Sequence, residues 1–144
     1  MFKSTIYIIL VSVMMCTACS ASKNELTLAQ QSFVRWHAEE NMLEVYAVAV
    51  NQTKADISFE ASIVLLNPNL RDAVGFDTVE IKEDDRNGKP PFHLKSYNET
   101  VFKQTFKTNR TLTREMLSNG VGIKISTQEK SYTLPIKYGE RGKE

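Results

Sequence analysis

The apolar positions of this chain recur mostly with a period of two. The clearest stretch is ISFEASIVLL (57–66), where Ile57, Phe59, Ala61, Ile63 and Leu65 share one face and Ser58, Glu60 and Ser62 the other. Strict alternation marks a strand with one buried face. Val64 and Leu66 make its far end apolar on both sides, so that end is expected to be covered twice. Upstream, FVRWHA (33–38) reads as a short strand closed by a turn at EEN. MLEVYAVAV (42–50) is rich in the β-branched and aromatic residues that suit strands, and NQTKAD (51–56) is a polar break.

Downstream, NPNLRDAVG (67–75) reads as a loop punctuated by Pro68 and Gly75. DTVEIKE (77–83) alternates again, with Val79 and Ile81 inward. DDRNGK (84–89) contains Asn87-Gly88, a tight-turn dipeptide. Pro90 and Pro91 lack backbone donors and confine FHL (92–94) to a short edge strand. TVFKQTFK (100–107) sets Phe102 and Phe106 on one face. Only NRTLTREMLSNG (109–120) leaves the period of two: Leu112, Met116 and Leu117 suit one short helical turn ended by Asn119-Gly120. VGIKIST (121–127) and SYTLPIKY (131–138) form the clearest hairpin, with Pro135 placing the last strand at an edge. These short strands and the single helical turn predict an all-β fold, an antiparallel β-sandwich of about 7–8 strands.

The first residues differ. MFKSTIYIILVSVMM has a basic start and an apolar run from Ile6 to Met15, too short to span a bilayer as a helix. Small residues follow, which is the layout of a secretory signal peptide. Thr17, Ala18 and Cys19 here resemble the lipobox of bacterial lipoproteins, in which the cysteine takes a diacylglycerol and becomes the new N-terminus. The resemblance implies lipidation at Cys19, a signal peptide at 1–18 and a membrane-held protein of the bacterial cell envelope. Position −3, usually leucine in that family, is Cys16. Cleavage near Ala18 or Ala21 is the rival reading. A redox C-x-x-C made by Cys16 and Cys19 would need a βαβ setting that an apolar leader does not supply, and zinc would need two more ligands.

Beyond Cys19 the chain has no cysteine and so forms no internal disulfide; its apolar core must hold it alone. The expected layout is a polar tether at 19–31 after the anchor, one β-sandwich domain at 32–138 and a polar tail at 139–144. Of the 18 basic residues one, Lys3, lies in the leader, leaving 17 against 17 acidic. That balance argues against a nucleic-acid partner, which calls for a basic surplus.

LEVYAVAVNQT together with HLKSYNETVFKQTF resembles small bacterial extracytoplasmic immunoglobulin-like modules, where a strand ends in an Asn-polar turn and a later turn opens a Phe-rich strand. In outline, the order of EVYAVAVNQTKADISFEASIVLL, PFHLKSYNETVFKQTF and the final hairpin is similar to the curli-assembly immunoglobulin-like proteins. That likeness implies action on a secreted, fibre-forming partner. A paired-cysteine feature of part of that family has no counterpart here. An antibody-type cysteine pair is absent too, and Trp36 lies too early to be the core tryptophan of such domains.

Catalytic chemistry is sparse. His37 and His93 fall on different predicted strands, and WHAEE (36–40) lacks the helical H-E-x-x-H spacing that puts two ligands on one face. Glu83, Asp85 and Asn87 imitate the start of a calcium loop, but its twelfth position is Leu94, and a hairpin turn accounts for the same residues. No G-x-S-x-G and no glycine-rich phosphate loop occurs. Asn51, Asn98 and Asn109 each open a glycosylation triplet in a predicted turn. No cofactor is expected. The expected function is a non-catalytic, lipid-anchored binding or assembly module, chaperone-like toward its partner. FVRWHA carries no proline guard, so Phe33, Arg35, Trp36 and His37 are the candidate partner-binding residues. Two alternatives stand beside it. One is a protease-inhibitor-like sandwich acting through an exposed loop, 67–75 or 84–91. The other is an enzyme whose site is assembled around His37, Glu39 and His93.

Overall fold

The computed structural model describes residues 23–139. The segment expected to be a signal peptide (1–18), with Cys16, then Cys19, the start of the expected tether and most of the expected polar tail lie outside the described residues. Nine strands and two short helices follow in the order β1 (Leu26–Leu28), β2 (Phe33–His37), β3 (Met42–Asn51), β4 (Ile57–Leu65), α1 (Pro68–Val74), β5 (Thr78–Glu80), β6 (Phe92–Leu94), β7 (Glu99–Lys107), α2 (Arg114–Leu117), β8 (Val121–Ser126) and β9 (Ser131–Pro135). Every ladder is antiparallel.

In the first sheet β3 is central. β7 pairs with it from Met42 to Val50 on one side, and β1 and β2 lie in line along the other. In the second sheet β4 and β8 are central, β9 pairs β8, and β5 and β6 lie in line along the far edge of β4. Counting each in-line pair as one interrupted strand gives three strands facing four, the immunoglobulin-like sandwich. Between the sheets sit the inward positions of the alternating runs: Leu43, Val45, Ala47 and Ala49 of β3, the five inward residues of β4, and Val121, Ile123 and Ile125 of β8, all buried. Phe59, Phe92 and Phe102 meet at its centre, with ring centroids 5.0–6.2 Å apart. Tilted and edge-on contacts of this kind add stability beyond the area they bury.

Four expectations change. The sandwich begins before residue 32, inside the segment expected as a tether at 19–31, because Leu26 is fully buried and Leu26–Leu28 form β1 against β3. Two apolar residues in a polar run leave too short a pattern to show a strand. The loop at 67–75 is a helix: Asn67 caps it by accepting from Leu70 N, Pro68 opens it, and Gly75 ends it at φ +92°. Those residues are the ordinary start and stop signals of a helix. It buries Leu70 and Ala73. Leu66, expected to be covered, is 37% exposed. Trp36 points inward and packs against the core, its Nε1 buried and without a hydrogen-bond partner among the described residues.

Elsewhere the structure follows the pattern. Thr113 caps the single turn of α2, β6 and β9 are edge strands, and the hairpin of β8 and β9 pairs Ile123 with Leu134 and Ile125 with Tyr132.

Candidate binding surface

The register of the first sheet fixes what its outward face carries. On β2, Val34 and Trp36 turn inward, so Phe33, Arg35 and His37 turn out, opposite Tyr46, Glu44 and Met42 of β3. Phe33 stacks on Tyr46 at 5.0 Å with the rings 12° from parallel, and the Arg35 guanidinium lies 4.8 Å from the centre of the Phe33 ring. This layered group has the residue types that dominate protein contacts: flat aromatic area with a delocalised cation upon it.

Beside it Glu44 is 8% exposed. Its carboxylate meets His37 Nε2 at 2.7 Å and Lys103 Nζ at 3.0 Å, so three strands are tied by one side chain. Burial alone would raise the Glu44 pKa. The hydrogen bonds and charges of His37 and Lys103 together outweigh it and hold the carboxyl below its ordinary value.

Backbone hydrogen bonds show which groups the sheet's edges leave free. In a strand successive residues point their N–H and C=O to alternate sides. Asn98 O accepts from Asn51 N and Thr108 N donates to Asn41 O, so the even residues of β7 face β3. The odd ones, Val101, Lys103, Thr105 and Lys107, face outward. Only Val101 O meets a group there, the Asn87 amide at 2.9 Å, among the described residues. On β3 the even residues face β1 and β2, as Ala29 N to Val48 O shows. The odd residues of β2 are therefore spent on β3, and only Val34 and Trp36 present backbone groups at the outer edge. Val34 already makes an isolated parallel bridge with Tyr138. The edge at Phe33–His37 exists but is short, and the β7 edge is the longer one.

The loop between β5 and β6 leaves the second sheet and reaches the first. Asp84 Oδ1 accepts from Arg86 N, Asn87 N and Asn87 Nδ2, which shapes the turn, and Asp84 bridges Gly88. Asn87 then donates to Val101 O and accepts from the Thr100 hydroxyl. Asp84 and Asn87 thus serve the turn itself. Among the described residues no group of three His, Cys, Asp or Glu stands close enough to hold a metal. Between this loop and β7 runs a groove of about 410 Å³ lined by Glu83, Asp84, Asp85 and Arg86 on one side and Val101, Lys103, Gln104 and Thr105 on the other.

The two histidines are not brought together. His37 is on the outward face of the first sheet, whereas His93 on β6 points out of the second, its Nδ1 2.6 Å from Ser58 Oγ. Glu39 is exposed in the turn after β2. The segment 67–75 is held as a helix by Arg71 Nε on Leu65 O and by Asn109 N on Ala73 O, so it is no extended inhibitory loop. Asn51 is fully buried, and its amide donates to Ala55, Leu94 and Lys95 carbonyls while its oxygen accepts from Thr53. It is a structural knot that no glycan can reach. Asn98 and Asn109 are exposed.

Glu44, Tyr46 and Lys103 were not singled out by sequence reasoning. The signal for Glu44 is its place inside MLEVYAVAV, a charge in the middle of an otherwise apolar strand. Compared with family models, curated proteins and solved structures, the chain matches none. No helix among the described residues is long and apolar enough to cross a membrane.

Proposed function

We propose that the chain is a non-catalytic binding or assembly module of a bacterial envelope, anchored through a lipid on Cys19, that holds a secreted or fibre-forming protein partner in a chaperone-like way. The observation that supports it most is the first sheet. Its outward face carries the Arg35–Phe33–Tyr46 stack, and that face lies between two strand edges with free backbone groups. The aromatic pair and guanidinium offer area and orientation. The edges offer hydrogen bonds to an extended chain.

The test is capture of envelope proteins by the full chain in non-ionic detergent, compared with a Phe33→Ala/Tyr46→Ala variant whose circular dichroism is unchanged. A partner held by the parent and lost from the variant supports the reading. Equal capture by both, or none by the parent, removes this face as the binding surface.

A further inference from the structure

We propose that the groove between the 83–86 loop and β7 accepts an extended, lysine- or arginine-bearing segment of a partner chain as an added strand. This deepens the binding-module reading and rests on it, by naming the edge used and the chemistry of the segment. Two independent features converge in the groove. One wall is backbone: Lys103 and Thr105 turn their N–H and C=O away from β3, and no group meets them among the described residues. The opposite wall is charge. Glu83, Asp84 and Asp85 make no ion pair among the described residues; Arg86 and Lys103 line the same groove, and the Lys103 ammonium is paired with Glu44 at 3.0 Å.

An incoming strand lies about 4.8 Å from its neighbour, and its side chains alternate between two faces. One of those faces meets the carboxylate wall. Basic residues at every second position are thereby matched to the exposed Glu83 and Asp85, and acidic ones are opposed. Asn87 marks where the added ladder stops, because its amide already occupies Val101 O. A second copy of this chain is opposed in two of the three central registers: antiparallel pairing of two β7 edges about Lys103 or about Thr105 sets Lys103 against itself or against Lys107, and like charges directly opposite are unfavourable, whereas pairing about Gln104 sets it against Thr105.

The experiment uses the full chain in non-ionic detergent and two fluorescent peptides, one alternating lysine and valine, the other glutamate and valine. Anisotropy reports affinity, and amide exchange of the 99–107 segment reports location. The lysine peptide is expected to bind about tenfold more tightly than the glutamate peptide, falling with salt, and to slow exchange in 99–107. Thr105→Pro removes an outward N–H that β3 does not use, and it should weaken binding about fivefold. Should Thr105→Pro fail to fold, Glu83→Lys/Asp85→Lys, a change at exposed positions, should weaken the lysine peptide about fivefold and erase the preference. Equal affinity for both peptides, no binding of either, or undiminished binding to the charge-reversed variant overturns the inference. Protection that moves to 33–37 overturns it while leaving the binding-module reading in place. Protection of 99–107 that rises with protein concentration alone assigns the edge to a second copy and also overturns it.

Discussion

Glu44 Oε2 and His37 Nε2 lie 2.7 Å apart across the paired strands β3 and β2, on a surface where Glu44 is otherwise almost closed to water. A carboxylate in such a place is stable only while its partners supply hydrogen bonds and positive charge. Lys103, from β7, is the second partner.

A pH dependence follows. The folded-state pKa of Glu44 is depressed below its ordinary value of 4.5, so the unfolded chain takes up a proton before the folded one does. The stability contributed is full above the unfolded value and is lost as the pH falls through the folded value. In urea titrations Glu44→Gln should cost about 1–2 kcal/mol at neutral pH, and the difference from the parent should shrink at pH below the folded value. A difference of the same size at both ends contradicts the assignment.

Asn51 gives a second prediction. Its amide holds three carbonyls of two separate segments, and its oxygen holds Thr53. Asn51→Ala should cost about 2–3 kcal/mol, because the buried Leu94 carbonyl and the part-buried Ala55 and Lys95 carbonyls lose their donor. Asn51→Asp should be no better at neutral pH, since a carboxylate then faces those carbonyls. If the chain is made in a eukaryotic secretory host, intact mass should show no glycan on Asn51. Modification there is incompatible with the burial described.

The core separates inward from outward positions on one strand. Phe59 is 1% exposed and touches both Phe92 and Phe102, so Phe59→Ala should cost about 3–5 kcal/mol. Glu60, the next residue, points to solvent, and Glu60→Ala should stay within about 0.5 kcal/mol. Thermal or denaturant unfolding of the two variants decides between this register and one shifted by a single residue, which would reverse the order.

Cys19 carries the anchoring reading. Lipidated, the chain should enter the detergent phase of a phase-separating detergent, and Cys19→Ala should release it to the aqueous phase or block its processing. Two acyl chains anchor stably, at about 0.8 kcal/mol for each buried methylene. An intact mass with an unmodified residue at the mature N-terminus removes the anchor from the proposed function.

How much of this was legible depends on the range over which each signal acts. The alternation of Ile57 to Leu65 is local, and it correctly named the buried face of β4 without any partner in view. The same holds for Val121, Ile123 and Ile125, and for the turn that Thr113 and Asn119-Gly120 frame. Two elements were missed for opposite reasons. In β1 the sequence signal is weak, and Leu26 becomes a core residue only because β3 runs beside it. In α1 the signal was present in Asn67, Pro68 and Gly75, but loop punctuation and helix capping use the same residue types, and seven residues are too few for a 3.6 period to separate them.

The sequence by itself determined the strands from Phe33 onward, the inward faces of the long ones and the sandwich class, because side-chain alternation and turn chemistry are properties of neighbouring residues. It also supplied the candidate leader and candidate lipobox, which no tertiary contact is needed to read. Only the tertiary structure decided which edges stay open, that the outward backbone groups of β7 outnumber those of β2, and that an acidic turn from the other sheet stands over them. It alone set Glu44 against Lys103 and turned Trp36 inward. These relations join residues dozens of positions apart, and strand pairing between distant segments is chosen by the packing of the whole core rather than by any stretch that could be read in isolation.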